Sequence, residues 1–129
     1  MKLFTINEAN ELLPIIRPKL EQIKANYDGL AIYRESAKAA ATAAAESGGG
    51  GMESGTIYVK LLYDIGKLTT ELHDLGIELK DYTRGLIDFP SMREDRVVLL
   101  CWQLGEGDEI EWWHEPEAGF MGRQPLWKD

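Results

Sequence analysis

The sequence predicts an α+β fold, in which a long antiparallel helical hairpin of coiled-coil type precedes a short C-terminal β-hairpin and an ordered coil tail. Two long segments carry apolar residues in alternating steps of three and four, the period of a packed helix. Four consecutive glycines at positions 48–51 separate these segments. The last third of the chain contains the only cysteine and all four tryptophans within short strand-like runs. We therefore expect a single domain over residues 1–129.

The first element is predicted to be a kinked N-terminal helix over residues 5–47. Thr5 and Glu8 have the spacing of a capping box, in which each side chain bonds the other residue's backbone N–H at the start of a helix. Pro14 and Pro18 each lack a backbone donor, so we expect a kink or a restart of the helix there.

A glycine-rich turn is predicted over residues 48–55, and a second long helix over residues 56–84. Gly85 is suited to cap the C-terminus of this helix, and Pro90 prevents its continuation. Two long helices joined by a short turn fold back on each other as an antiparallel pair. One such pair leaves apolar surface uncovered, so we also expect a homodimer or a higher homo-oligomer.

The C-terminal unit, residues 86–129, is predicted to be a β-hairpin followed by the tail. Its strands are two runs rich in β-branched and aromatic residues, at 96–104 and 109–114. If Glu106 and Gly107 form a two-residue turn, Leu100 pairs with Trp113. Both faces of this hairpin are largely apolar, so we expect the helices to cover one face and the tail or a partner subunit to cover the other.

Composition and charge restrict the classes of partner. The chain has 129 residues and a net charge of -8, and its 14 lysines and arginines are scattered along the sequence. Because nucleic acids and anionic membranes are bound through basic faces, neither is expected as a partner. The single cysteine excludes a disulfide within the chain. The N-terminus has no apolar core of signal-peptide length, and no apolar run approaches the ~18 residues that span a bilayer. We therefore expect a cytoplasmic protein.

A cysteine and a histidine provide a candidate metal site. In the predicted register Cys101, Ile110 and His114 share one face, and Cys101 and His114 are diagonal neighbours at roughly 7 Å. A thiolate and an imidazole at this distance could share zinc or a similar divalent ion. A third ligand could come from one of several nearby acids, namely Asp88, Glu106, Asp108, Glu115 and Glu117. In the alternative interpretation both residues only pack, and a register slip by one residue would place them on opposite faces.

Other binding and catalytic roles are also open. Cys101, His114 and an acid could act as nucleophile, base and orienting group, but no glycine-rich turn or helix N-terminus follows Cys101 to hold an oxyanion. Arg123 could bind a carboxylate or phosphate with both arms of its guanidinium, or pair with a nearby acid instead. The candidate residues for binding a ligand or partner are Asp88, Trp102, Trp113 and Arg123.

Six segments of the chain resemble a prokaryotic family called domain of unknown function 2203. They are FTINEANELLP at 4–14, GIELKD at 76–81, GLIDFP at 85–90, LCWQLGE at 100–106, WHE at 113–115 and GFMGRQPL at 119–126. The resemblance implies a bacterial or archaeal cytoplasmic protein, and the family has no assigned function to carry over. The residues at family-motif positions are Asp88, Cys101, Trp102, Glu106, His114, Gly122 and Arg123.

Two hypotheses for function follow. In the first, the protein is a non-enzymatic oligomeric binding module whose helices assemble and whose tryptophan-rich unit binds a protein partner. In the second, it is a small metal-binding protein or metal-dependent enzyme, in which Cys101, His114 and a carboxylate such as Glu106 hold the ion and Arg123 orients an anionic ligand. The sequence leaves open whether the protein is an enzyme.

Overall fold

The computed structural model describes residues 1–47 and 53–128. It contains two helices, α1 (Ile6–Ser47) and α2 (Glu53–Asp74), followed by five strands. The strands are β1 (Glu78–Asp81), β2 (Leu86–Arg93), β3 (Arg96–Gln103), β4 (Trp112–His114) and β5 (Gln124–Pro125). They form one antiparallel sheet in sequence order. The predicted α+β class with a helical hairpin is confirmed, and the sheet has five strands where a two-stranded hairpin was expected.

Helix α1 begins where the capping box predicts. The backbone N–H of Thr5 donates to Glu8 Oε1 at 2.8 Å, and the N–H of Glu8 donates to Thr5 Oγ1 at 3.0 Å. The helix then continues through Pro14 and Pro18, so the expected restart is wrong. Both prolines are exposed and lie one turn apart on the same side, so water can bond the carbonyl groups that they leave unpaired.

Contacts between α1 and α2 show that the helices are antiparallel. Lys19 of α1 pairs with Glu71 near the end of α2 at 3.2 Å, whereas Gly29, further along α1, faces Leu61. The buried positions of α1 follow the helical period at Ala9, Leu13, Ile16, Leu20 and Ile23. The predicted glycine-rich turn falls largely on residues 48–52, which lie outside the described residues, and α2 already begins at Glu53.

Helix α2 ends at Asp74, so the prediction of helix to residue 84 is wrong. Gly76 has a φ of 93°, its N–H donates to the carbonyl of His73 at 2.9 Å, and the N–H of Ile77 donates to Leu72 at 3.0 Å. This pair of bonds is a Schellman C-cap, and the buried side chains of Leu72 and Ile77 accompany it. The apolar spacing continues in steps of three and four beyond Gly76. A prediction from this spacing alone therefore extends the helix through the residues that form β1.

Gly76→Ala is expected to lower the free energy of unfolding by about 1–3 kcal/mol, because a positive φ strains a residue with a side chain. The new Cβ would also lie 3.0 Å from Lys2 Cβ. Gly29→Ala inside α1 is the control, and it is expected to raise the free energy of unfolding by about 0.5–1 kcal/mol. Urea denaturation of both variants measures these values. Equal effects in the two variants would contradict the C-cap at Gly76.

Strand β2 runs through Pro90 without losing its pairing to β3. The Pro90 carbonyl accepts the N–H of Phe4 at 2.7 Å, so the backbone of this residue faces the N-terminal segment. Because N–H and C=O of one strand residue point the same way, the missing N–H is not needed by β3. A two-residue turn at Glu94 and Asp95, both with positive φ, then joins β2 to β3.

The predicted register of β3 and β4 is correct, although the connection between them is not. Leu100 pairs with Trp113, as expected. The strands are joined by residues 104–111, not by a two-residue turn, so the alternation of faces does not extend to Ile110. The N–H of Ile110 donates to Asn10 Oδ1 of α1 at 2.6 Å, and its side chain joins the core. Its predicted place on the face of Cys101 is therefore wrong.

The two faces of the sheet have different coverings. The inner face packs on the helices through Ile87, Phe89, Val98, Leu100, Trp102 and Trp113. The outer face carries Asp88, Cys101 and His114, and the tail of the same chain covers it and pairs with β4. Within the described residues, no helix is long and apolar enough to cross a membrane.

Candidate metal centre

Three polar side chains from three adjacent strands meet on the outer face of the sheet. Asp88 of β2 pairs directly with Cys101 of β3, and His114 of β4 is the diagonal neighbour of Cys101. Each residue is at most 2% exposed. One ligand-type atom from each of the three lies within 4.8 Å of the other two. Strand alternation and the register of three strands therefore gather a carboxylate, a thiol and an imidazole in one buried group.

The orientation of His114 is set by its neighbouring carbonyl. Nδ1 lies 2.7 Å from the backbone oxygen of Glu115, and a carbonyl only accepts, so Nδ1 carries the hydrogen and donates it. In the neutral ring the lone pair is then on Nε2, which lies 3.1 Å from both carboxylate oxygens of Asp88. Two acceptors that face each other in a buried site attract only when a proton or a cation lies between them.

Burial favours the neutral, protonated forms of Asp88 and Cys101. It raises the pKa of Asp88, against the opposing effects of His114 and the Cys101 thiol. Burial, with the nearby Asp88 carboxyl, also raises the pKa of Cys101 to about 12, although Arg123 acts in the opposite direction. A divalent cation would reverse this balance, because it binds both groups directly in their deprotonated forms.

Arg123 lies beside Cys101 and is already paired with an acid. Its guanidinium donates to Glu106 Oε2 at 2.8 Å, lies 3.9 Å from Cys101 Sγ and stacks on Trp112 and Phe120. The predicted alternative, an ion pair with a nearby acid, is confirmed. The Glu106 carboxylate accepts hydrogen bonds from Arg123 and from the backbone N–H of Gln103. Glu106, which the sequence predicts as a third metal ligand, is therefore not a member of the buried group. Asp88 takes that place.

The remaining candidate residues lie elsewhere. Trp102 and Trp113 are buried on the inner face of the sheet, and the Trp102 indole N–H donates to the Gly107 carbonyl at 2.9 Å. Their role as binding residues stays a prediction, since neither contacts the outer-face group. Among the other acids considered as ligands, Asp108 pairs with Arg17, and Glu115 pairs with Arg96.

A cavity of about 190 Å³ adjoins the three residues. Its remaining lining comes from Lys80, Leu86, Leu99, Pro116, Gly119 and Phe120. The sequence interpretation missed Lys80 because residues 78–81 were assigned to helix. The signal that could have identified it is the sequence Gly76-Ile77-Glu78-Leu79-Lys80, a C-capping glycine followed by strand-like alternation.

Comparison with known proteins defines the family of the chain and does not supply a function. No curated protein and no solved structure matches the sequence. The family model described as uncharacterized conserved protein, DUF2203, matches residues 2–126. That range includes α1, α2, the whole sheet and all three residues of the buried group. The chain therefore belongs to the DUF2203 family.

Proposed function

We propose that this protein binds a divalent transition-metal ion, with zinc as the best fit, through Asp88 Oδ, Cys101 Sγ and His114 Nε2. The observation that carries the proposal is the Nε2 lone pair of His114, which is aimed at the Asp88 carboxylate by the hydrogen bond on Nδ1. One thiolate, one imidazole and one carboxylate form a donor set that suits zinc.

Distances within the group support coordination. Two light ligands of a tetrahedral zinc ion are about 3.3 Å apart, and the separation between Nε2 and the Asp88 oxygens is 3.1 Å. A thiolate would lie about 3.6 Å from such a ligand, and Cys101 Sγ is within 4.8 Å of both, so a small side-chain rotation completes the site. The two anionic ligands also neutralise the ion, which lowers the cost of burying it.

The surroundings of the ligands support the same proposal. Metal-binding histidines usually donate their second ring N–H to a carbonyl or carboxylate, as His114 does to Glu115. Arg123, which lies 3.9 Å from Cys101 Sγ, is placed to donate a hydrogen bond to the thiolate form. Both contacts would hold the His114 ring and the Cys101 thiolate in the orientation that binds the ion, and would thereby raise the affinity for the metal.

Elemental analysis of gently purified, untagged protein tests the proposal. We expect close to one equivalent of zinc or a related metal per chain, restored by titration after stripping. The Cys101→Ala, His114→Ala double variant should contain none. His73→Ala, which removes an exposed histidine on α2, is the control and should keep the metal. Wild-type protein that neither contains a metal nor binds added Zn²⁺ or Co²⁺ stoichiometrically would overturn the proposal.

Arg123→Gln is expected to weaken metal binding by about 10- to 100-fold, the usual effect of losing a residue that supports a ligand. Competition with a chromophoric chelator measures the affinity. Arg84→Gln is the matched control, since the Arg84 guanidinium also stacks on Phe120, at 3.9 Å, but bonds Gln103. An unchanged affinity in Arg123→Gln would mean that this arginine only holds the tail.

We also propose a second function, assembly of a homodimer through the outer side of α2. Residues along this side are exposed at helical spacing, namely Val59, Leu62, Tyr63, Gly66 and Thr70. Four charged residues follow one edge with alternating sign, in the order Lys60, Asp64, Lys67, Glu71. Within the chain Lys60 pairs with Asp64 and Glu71 pairs with Lys19. In an antiparallel second copy the order of the row is reversed, so each of its residues would also lie opposite a residue of the other charge. This complementarity favours a second copy as the occupant of the surface.

Sedimentation equilibrium tests the dimer. Tyr63→Glu is expected to yield monomers, because it places a charge in the apolar contact, while Met121→Glu on the tail is the control and should leave the dimer intact. Lys67→Glu should weaken the dimer about tenfold or more, and the further change Asp64→Lys should restore it. A wild-type protein that is monomeric at tens of micromolar would overturn the proposal.

A further inference from the structure

The cavity beside the buried group has a mixed lining that suits a small organic ligand. Its volume of about 190 Å³ is several times the roughly 30 Å³ that one molecule occupies in liquid water. Asp88, Cys101 and His114 contribute to its lining, and the rest of the lining is apolar except for Lys80. A molecule in this cavity would contact any ion on the three ligands directly.

The number of ligands leaves room for such a molecule on the ion. Structural zinc sites have four protein ligands, whereas sites that bind a substrate have three and an open fourth position. Within the described residues the group contains three metal-ligand side chains. The fourth position of a bound ion would therefore face the cavity, which these same three side chains line.

The charge around the open position selects the kind of ligand. A divalent ion with one thiolate and one carboxylate has no net charge, and Arg123 with Glu106 is also neutral. Lys80, which also lines the cavity, adds one positive charge. Lys80 contacts Glu78 at 3.3 Å, but both side chains are more than 40% exposed, so water weakens this pair. Among the residues that line the cavity, Lys80 is the charged side chain outside the metal group, so the lining favours a ligand with a single negative charge.

We propose that the open position binds a small monocarboxylate with a short aliphatic part. One carboxylate oxygen would bind the metal ion, the other would accept a hydrogen bond from Lys80 Nζ, and the aliphatic part would pack against Leu99 and Phe120. This inference rests on the proposed metal site. It adds a ligand class and assigns Lys80, a residue outside the metal group, as the one that recognises it.

Visible absorption of the Co²⁺-loaded protein tests the inference, because the d–d bands of the ion respond to a change in its ligands. Propionate is expected to shift these bands saturably, and to do so at lower concentration than formate, which lacks the aliphatic part. Propionamide, of the same shape but uncharged, should leave them unchanged. Lys80→Gln should weaken propionate binding about 2- to 5-fold, since it removes a charged hydrogen-bond donor that is 43% exposed to water. Lys24→Gln on α1 is the control, because Lys24 is 43% exposed, as Lys80 is, and also pairs with an acid, Asp28.

The outcomes separate this inference from the metal proposal. Protein that takes up no Co²⁺ would overturn the metal site itself. A Co²⁺ complex with a thiolate charge-transfer band but no response to propionate would overturn the carboxylate site and leave the metal site standing. Equal responses to propionate and propionamide would overturn recognition of the carboxylate charge. Equal propionate affinity in Lys80→Gln and wild type would overturn the role of Lys80 in that recognition. Lys80 is exposed on a strand at the edge of the sheet, so Lys80→Gln is expected to fold normally.

Discussion

Stripping the metal ion with a chelator is expected to lower the free energy of unfolding by about 4 kcal/mol, relative to protein held at a free zinc concentration 1,000 times the dissociation constant. The proposed site takes its three ligands from three strands of the folded sheet, and the unfolded chain has no such preformed site, so binding of an ion there would add to folding stability. The melting temperature should fall by roughly 10–20 °C for a domain of this size. Calorimetry with and without chelator measures the change.

Variants at the three ligands separate the metal effect from packing. Asp88→Asn, Cys101→Ser and His114→Gln should each remove the zinc dependence of stability. Ser91→Ala is the matched control, because Ser91 is also a buried polar residue of β2 and donates to the Phe4 carbonyl at 2.6 Å. It should lower stability but keep the zinc dependence. A zinc dependence that survives in His114→Gln would exclude this group as the binding site.

The parts of the fold that were predicted correctly depend on local patterns. The start of α1 follows from two side chains three residues apart, and the helical hairpin follows from apolar spacing on both sides of a glycine run. The pairing of Leu100 with Trp113 agrees with the register predicted for a two-residue turn, although residues 104–111 join the strands instead of that turn. In that register the sequence places Cys101 and His114 on one face.

The missed parts depend on contacts between distant segments. The sequence predicts no strand at β2, because Pro90 lacks a backbone donor. In the fold the backbone of Pro90 faces the N-terminal segment at Phe4 and not β3, so the pairing of β2 with β3 is kept. Asp88 was one of five candidate acids, and only the pairing of β2 with β3 singles it out. The place of Lys80 depends on the end of α2 at Gly76, which apolar spacing does not reveal. For β2 and Lys80 a backbone feature overrides the apolar periodicity, and for Asp88 the pairing of two strands decides among the candidate acids.

Trp102→Ala is expected to lower the free energy of unfolding by about 3–5 kcal/mol, the largest effect of a single substitution that we predict. The indole is 1% exposed in the core between the sheet and the helices, so its loss leaves a cavity. It also leaves the Gly107 carbonyl without the N–H that bonds it at 2.9 Å. Denaturant unfolding measures the change. Trp127→Ala, at a 65% exposed position, is the control, with an expected change within about 1 kcal/mol.

The same variant decides between a binding role and a packing role for Trp102. The indole lies on the inner face, opposite the group formed by Asp88, Cys101 and His114, so the folded fraction of the variant should keep its full metal content. Trp102→Phe keeps most of the buried volume and should recover much of the lost stability, which provides a folded comparison if the alanine variant is too unstable. If Trp102→Ala were as stable as Trp127→Ala, its place in the core would be contradicted. Partner binding would then be the better account of this tryptophan.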